Sequence, residues 1–220
     1  MAKFIIPAII LLMVSAAEAE WSENFDSYAA GSGISGQGGW FPWDNNPSAD
    51  AYVSTDQARS GANSIDITPT SDVVQEFDIT SGNWVITAWN FIPADAAGEQ
   101  YFILLTNYNA SNSDWALQLK FDNTAGQMSI EEGTGVADII RDQWIEVKVE
   151  IQLGANTQSI YYNDTFIETI PWAPSSGILE FDALDLFSDG GSSVYWDDIL
   201  LTEQLALTPA TWASIKHSLK

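Results

Sequence analysis

Between Trp144 and Ile151 apolar and charged residues alternate strictly, with Ile145, Val147, Val149 and Ile151 on one side and Glu146, Lys148 and Glu150 on the other. A period of two marks a half-buried antiparallel strand. Similar runs rich in Val, Ile, Thr and aromatics recur through the chain, separated by clusters of Gly, Asn, Asp, Ser and Pro. They predict strands over 21–25, 51–54, 64–67, 73–79, 84–92, 101–107, 115–121, 128–131, 144–153, 159–162, 165–170, 177–187 and 193–201. No segment between 20 and 204 keeps a helical period. That many short strands in one stretch suit an all-β, two-sheet antiparallel jelly-roll sandwich.

The two ends break the pattern. Lys3 precedes an apolar run over 4–14, and Ala17-Glu18-Ala19 offers a small-x-small cleavage site. This reads as a signal peptide over 1–19 and predicts a secreted protein, extracellular or periplasmic and bacterial in style. Over 205–220, Pro209 stands near a helix start, and Trp212, Ile215 and Leu219 follow at i, i+3 and i+7. That spacing predicts a short amphipathic C-terminal helix, with Lys216, His217 and Lys220 in its last turn. It could pack on its own domain, dock on a protein partner or act as a sorting signal.

Charge and composition narrow the chemistry. Thirty acidic residues against seven basic ones give a net charge of −23, which argues against nucleic acid or an anionic membrane as partner. A disordered acidic chain has few aromatics, whereas 10 Trp, 10 Phe and 7 Tyr here supply a core. With no Cys and one His, thiolate or multi-histidine metal sites and a Ser-His-Asp triad are all out of reach. Carboxylates, amides and rings remain.

The pair of segments Arg141-Asp-Gln-Trp144-Ile-Glu-Val-Lys-Val-Glu-Ile151 and Ser159-Ile-Tyr-Tyr-Asn163-Asp164-Thr-Phe-Ile-Glu-Thr169 resembles adjacent strands of laminin-G-like domains. The opening Glu23-Asn-Phe25-Asp26-Ser-Tyr28, the stretch Ala58-Arg-Ser60-Gly61 and the ending Val194-Tyr-Trp-Asp197-Asp198-Ile-Leu-Leu201 are similar to the wider concanavalin A-like lectin/glucanase superfamily. That resemblance implies one jelly-roll domain over 20–204 and one structural Ca2+ where the first and last strands meet. Its ligands would be Asp26 and Asp197 or Asp198, completed by the backbone near Ser60. The alternative is that Asp197 and Asp198 merely end a strand, since neighbours on a strand face opposite ways unless a bulge intervenes.

Two sites could act on sugar. Glucanases of the superfamily carry E-x-D-x-x-E on one strand; Glu180-Phe-Asp182-Ala-Leu-Asp185 matches except for its last residue, where the shorter Asp185 sets the carboxyl back. That mismatch, and a place near the end of the domain, argue against a hydrolase. Sugar binding needs flat rings beside amides or carboxylates. The loop holding Trp40 and Trp43, the strand residue Trp89, and the segment with Asn107, Tyr108 and Trp115 supply both. Any one of these Trp residues could instead fill the sandwich. The sequence therefore predicts a non-catalytic, lectin-like protein whose partner is a polysaccharide or glycan. A structural or adhesive surface protein is the alternative, and a β-glucanase-type hydrolase comes third.

Overall fold

The computed structural model describes residues 19–109 and 112–204; the expected signal peptide, apart from Ala19, and the C-terminal tail lie outside these. Among the described residues fifteen strands are formed. The first six are β1 (Ala19–Glu23), β2 (Phe41–Pro42), β3 (Tyr52–Ser54), β4 (Ser64–Ile67), β5 (Asp72–Ile79) and β6 (Asn83–Phe91). Then come β7 (Glu99–Asn107), β8 (Asp114–Asp122), β9 (Gln127–Ile130), β10 (Val136–Asp138) and β11 (Trp144–Gln152). The chain continues through β12 (Thr157–Tyr162), β13 (Thr165–Ile170), β14 (Phe181–Asp189) and β15 (Val194–Glu203). The alternating segment is β11, and its four apolar residues are buried as their period requires. Two strands had no signal in the sequence, β2 and β10, both too short to show a period.

Every named strand pairs antiparallel, in two sheets. The first runs β13-β12-β11-β6-β15-β4-β3, with β1 also on β15; the second runs β10-β9-β8-β7-β14-β5-β2. The N-terminal strand thus pairs with the last one, so the domain is closed by contacts between its two chain ends.

The sheets are joined by aromatic side chains. Trp196 of β15 lies against Phe102 of β7 at 5.4 Å and Phe121 of β8 at 6.0 Å between ring centroids, linking the first sheet to the second. It is fully buried. Trp196→Ala removes the largest such link and is expected to cost about 3–5 kcal/mol of unfolding free energy. Urea denaturation checks this; an unchanged midpoint would mean the sheets are held elsewhere.

The second sheet differs from an ordinary half-solvated one. Along β7 the run Tyr101-Phe-Ile-Leu-Leu105 is apolar on both sides, with Phe102 and Leu104 in the sandwich core and Ile103 and Leu105 in a separate cluster with Val74 and Ala183. That second cluster lies on the outer face, where Phe41, Trp43, Tyr101, Tyr108 and Phe187 pack around it. A sheet face that sequesters apolar side chains under aromatic rings is prepared for something other than water.

Candidate functional site: an aromatic groove with two carboxyls in its floor

The outer face of the second sheet carries a groove of about 370 Å³. Trp115, at the start of β8, borders it on one side. Trp43, in the 3-10 turn after β2, borders it from the other end of the sheet order. Asp44 and Asn45 take positive φ values of 55° and 54°, turning the chain sharply beside Trp43. Its indole meets the Tyr108 ring edge-on at 4.8 Å, and the Tyr108 hydroxyl accepts a hydrogen bond from the Asp44 N–H at 3.1 Å. Trp43 is therefore fixed in orientation, while Trp115 stands 39% exposed and open to a ligand.

Ile103, Phe187, Gln118, Asp72 and Asp185 line the rest. The pairing register sets Phe187 opposite Asp72 and Asp185 opposite Val74, so the two aspartates are diagonal neighbours on adjacent strands. Such neighbours fall within reach of each other, and each carboxyl acts on the protonation of the other. Burial pushes Asp72 up to about 6 and Asp185 well above the usual carboxylate range, where the Asp72 charge raises it further. Asp185 is 2% exposed, and the Oδ1 atoms of both residues are buried without a hydrogen-bond partner. A buried carboxyl oxygen left unbonded is costly. Both residues line the groove.

The residues expected to bind sugar separate into three groups. Trp43 and Trp115 line the groove, and Tyr108 packs against Trp43 beside it. Asn107 holds the adjoining loop instead, its Nδ2 donating to the Asn112 carbonyl at 2.9 Å. Trp40 and Trp89 belong elsewhere, and both expectations are corrected. Trp40 is buried in the sandwich core, 6.1 Å from Trp21 and 6.2 Å from Phe25. Gly38 and Gly39, at φ 59° and 94°, let the loop fold back and turn that indole inward. Trp89 sits on the other sheet, in β6, with the Arg59 guanidinium 3.6 Å above its ring.

The glucanase-like triplet is also dispersed. Glu180 is exposed ahead of β14. Asp182 accepts the Tyr108 N–H at 2.5 Å and so anchors the loop beside the groove. Only Asp185 reaches the floor, and its partner there is Asp72, a residue the sequence did not single out. No linear motif could have shown it, because the juxtaposition comes from the β5–β14 register.

Asp26, Ser60, Asp197 and Asp198 do converge where the first and last strands meet, around the loop at 59–63. Asp197 accepts the Arg59 and Ser60 N–H groups at 2.7 and 3.1 Å and the Asp198 N–H at 2.7 Å. Asp26 accepts those of Ala62 and Asn63 at 2.7 and 3.0 Å. Asp198 takes the Arg59 guanidinium and the Ser60 hydroxyl. A bulge in β15 and a φ of 44° at Asp198 bring both neighbouring aspartates to the same loop. Burial still raises Asp197 to about 6.

Ca2+ needs six to eight oxygens turned toward it. These carboxylates face N–H donors, which a cation repels, and among the described residues no group of three His, Cys, Asp or Glu side chains is arranged to hold a metal ion. The residues as placed do not fit the expected Ca2+ cage; they clasp a loop. The melting temperature should be the same in Ca2+ and in EGTA. A rise of several degrees with Ca2+ would show that the loop rearranges around a metal.

No family model matches this chain, and no curated protein sequence does either. Its similarity is to solved structures. A sialidase aligns at TM-score 0.55 and 12% identity over 93% of this chain, which spans about a fifth (21%) of the sialidase. The CBM22-1 xylan-binding domain of Paenibacillus barcinonensis Xyn10C aligns at TM-score 0.50 and 11% identity, over 87% of this chain and 97% of that one. The Trypanosoma rangeli sialidase bound to 2,3-difluorosialic acid aligns at TM-score 0.52 and 11% identity, over 83% of this chain and 35% of the sialidase. The chain has the β-sandwich fold of these domains. At such identities the likeness extends to the fold and leaves the site to be argued from its own residues.

Proposed function

We propose that this protein is a secreted, non-catalytic carbohydrate-binding β-sandwich that holds a glycan in the groove of its second sheet. The observation that carries the reading is the pairing of Trp43 and Trp115 at one groove with hydrogen-bonding groups, Gln118, Asp72 and Asp185, in it. Pyranose rings offer apolar C–H faces and a rim of hydroxyls, and this groove offers aromatic surfaces and polar atoms in the same order. The sandwich fold shared with a xylan-binding domain supports it. Secretion rests on the N-terminal leader read from the sequence.

The carboxyl arrangement supports the non-catalytic part of the reading. Retaining glycosidases hold their two carboxyls about 5 Å apart and inverting ones further, with the scissile bond between them. Asp72 and Asp185 stand side by side on adjacent strands and Asp185 is 2% exposed, an arrangement unlike two carboxyls held open on either side of a scissile bond. Glu180, the other acid of the glucanase-like motif, is on the surface. Among the described residues no helix is long and apolar enough to cross a membrane.

A glycan array probed with the wild type and with Trp43→Ala/Trp115→Ala tests the reading. Binding to at least one polysaccharide class, lost in the double variant, is the expected result. Release of reducing sugar from a bound polysaccharide, abolished by Asp185→Asn, would replace the binding reading with a hydrolase.

A further inference from the structure

The floor of the groove holds acceptors that the protein itself does not satisfy. Asp185 is buried, lines the cavity and has an unbonded Oδ1; Asp72 beside it has another. Each described cation has partners elsewhere. Arg59 binds Asp198, and Lys120 and Lys148 bind Glu131 and Glu150. Arg141 donates to the carbonyls of Pro93, Ala96 and Asn123. The surroundings add further negative charge, since Asp44 acts on Asp72, and Glu76 with Asp182 stands on the same face. Neutral sugar hydroxyls can donate to carboxylates, but they leave this charge in place. An ammonium group donates three hydrogen bonds and cancels charge at once. The indoles of Trp43 and Trp115 favour a cation beside them as well.

We infer that the groove is selective for amino sugars with a free ammonium group, of the glucosamine type, docked with the nitrogen on the Asp72 and Asp185 carboxyls and a pyranose face on Trp115. This rests on the carbohydrate-binding reading and names the ligand class for the same groove. N-Acetylation removes the positive charge and two of the three donors. Acetylated and neutral sugars therefore lose the contact that distinguishes the site. The net charge of −23 also concentrates a polycationic glycan near the protein before docking.

Calorimetric titration with a fully deacetylated glucosamine hexamer, its N-acetylated counterpart and a neutral xylose hexamer tests the inference. EDTA is included throughout to exclude a metal bridge, and the pH is set where the sugar amines are protonated. The deacetylated hexamer is expected to bind at least tenfold more tightly than the other two. Asp72→Asn and Asp185→Asn should each remove most of that preference, bringing the deacetylated hexamer close to the affinity of its N-acetylated counterpart. Equal binding of all three by the wild type would overturn the amino-sugar assignment and leave the carbohydrate reading standing. Failure of every carbohydrate on the wider array to bind would overturn both. A preference that persists in both aspartate variants, or that vanishes in high salt while weak neutral binding remains, would reduce it to bulk attraction by an acidic surface. The wild-type comparison needs no variant to fold, so an unstable aspartate variant does not shelter the idea.

Discussion

Replacing Trp43 and Trp115 by alanine is expected to abolish glycan binding, with each ring alone contributing about tenfold. A sugar face stacked on an indole gains buried area plus a specific contact; a loss near 1.4 kcal/mol per ring corresponds to a factor of ten in affinity. The two rings make no ring contact with each other, so their effects should add to about a hundredfold. Trp89→Ala is the control that distinguishes this account from a general loss of aromatic surface. Trp89 lies in the first sheet under Arg59, away from the groove, so its removal should leave affinity unchanged. Trp115 is 39% exposed, so Trp115→Ala should alter affinity with little change in melting temperature. Equal affinity in the Trp43→Ala/Trp115→Ala protein and the wild type would remove the groove from consideration.

The second large effect is on stability against pH. Asp72 and Asp197 titrate near 6 in the folded protein and Asp185 is raised well above the ordinary value of 3.8, with burial the leading cause for all three. The folded state thus retains protons that the unfolded chain releases. A group raised in this way contributes stability that is fully present below the unfolded value and is lost as the pH rises through the folded one. Stability should fall between about pH 4 and pH 7, the reverse of a protein whose carboxylates are held by cations. Self-repulsion at a net charge of −23 acts in the same direction, because protonation relieves it. One group opposes the trend at the acid end. Glu168 is lowered by the N–H groups of Thr134 and Gly135, and protonating it below its usual range removes that contact. The melting temperature should therefore peak at mildly acidic pH and drop toward neutrality. Asp185→Asn should flatten the descending side, since the amide has no proton to lose. A melting temperature that rises from pH 5 to pH 7.5 would contradict proton retention by these buried carboxyls.

Local pattern and long-range register account for what was readable in the chain. The Trp144–Ile151 alternation, the strand count and the antiparallel class all follow from a period of two, and β11 buries the residues its period selects. Trp43, Tyr108 and Trp115 were recognisable as a candidate site because rings in loops rich in Asn and Asp point to sugar recognition. Trp40 has the same sequence surroundings and the opposite fate. Positive φ at Gly38 and Gly39 reverses the loop there, and a glycine signals conformational freedom without saying which way it will be used. Asp197 and Asp198 illustrate the same limit. Strand alternation predicts opposite faces, but the β15 bulge puts both against Arg59 and Ser60, Asp197 on their backbone N–H groups and Asp198 on their side chains. Asp72 was invisible for a different reason. Its partner is more than a hundred residues away, and only the pairing of β5 with β14 makes the two a site.

The central claim is that the glycan lies on the outer face of the second sheet, between Trp43 and Trp115. Amide and indole NMR shifts recorded during titration with a bound oligosaccharide test it most directly. The account predicts shifts confined to the indole N–H groups of Trp43 and Trp115 and to the backbone at 72–75, 101–105 and 183–187, with Trp40 and Trp89 unmoved. Shifts centred on Trp89, Arg59 and the 59–63 loop, with the groove residues silent, would contradict it.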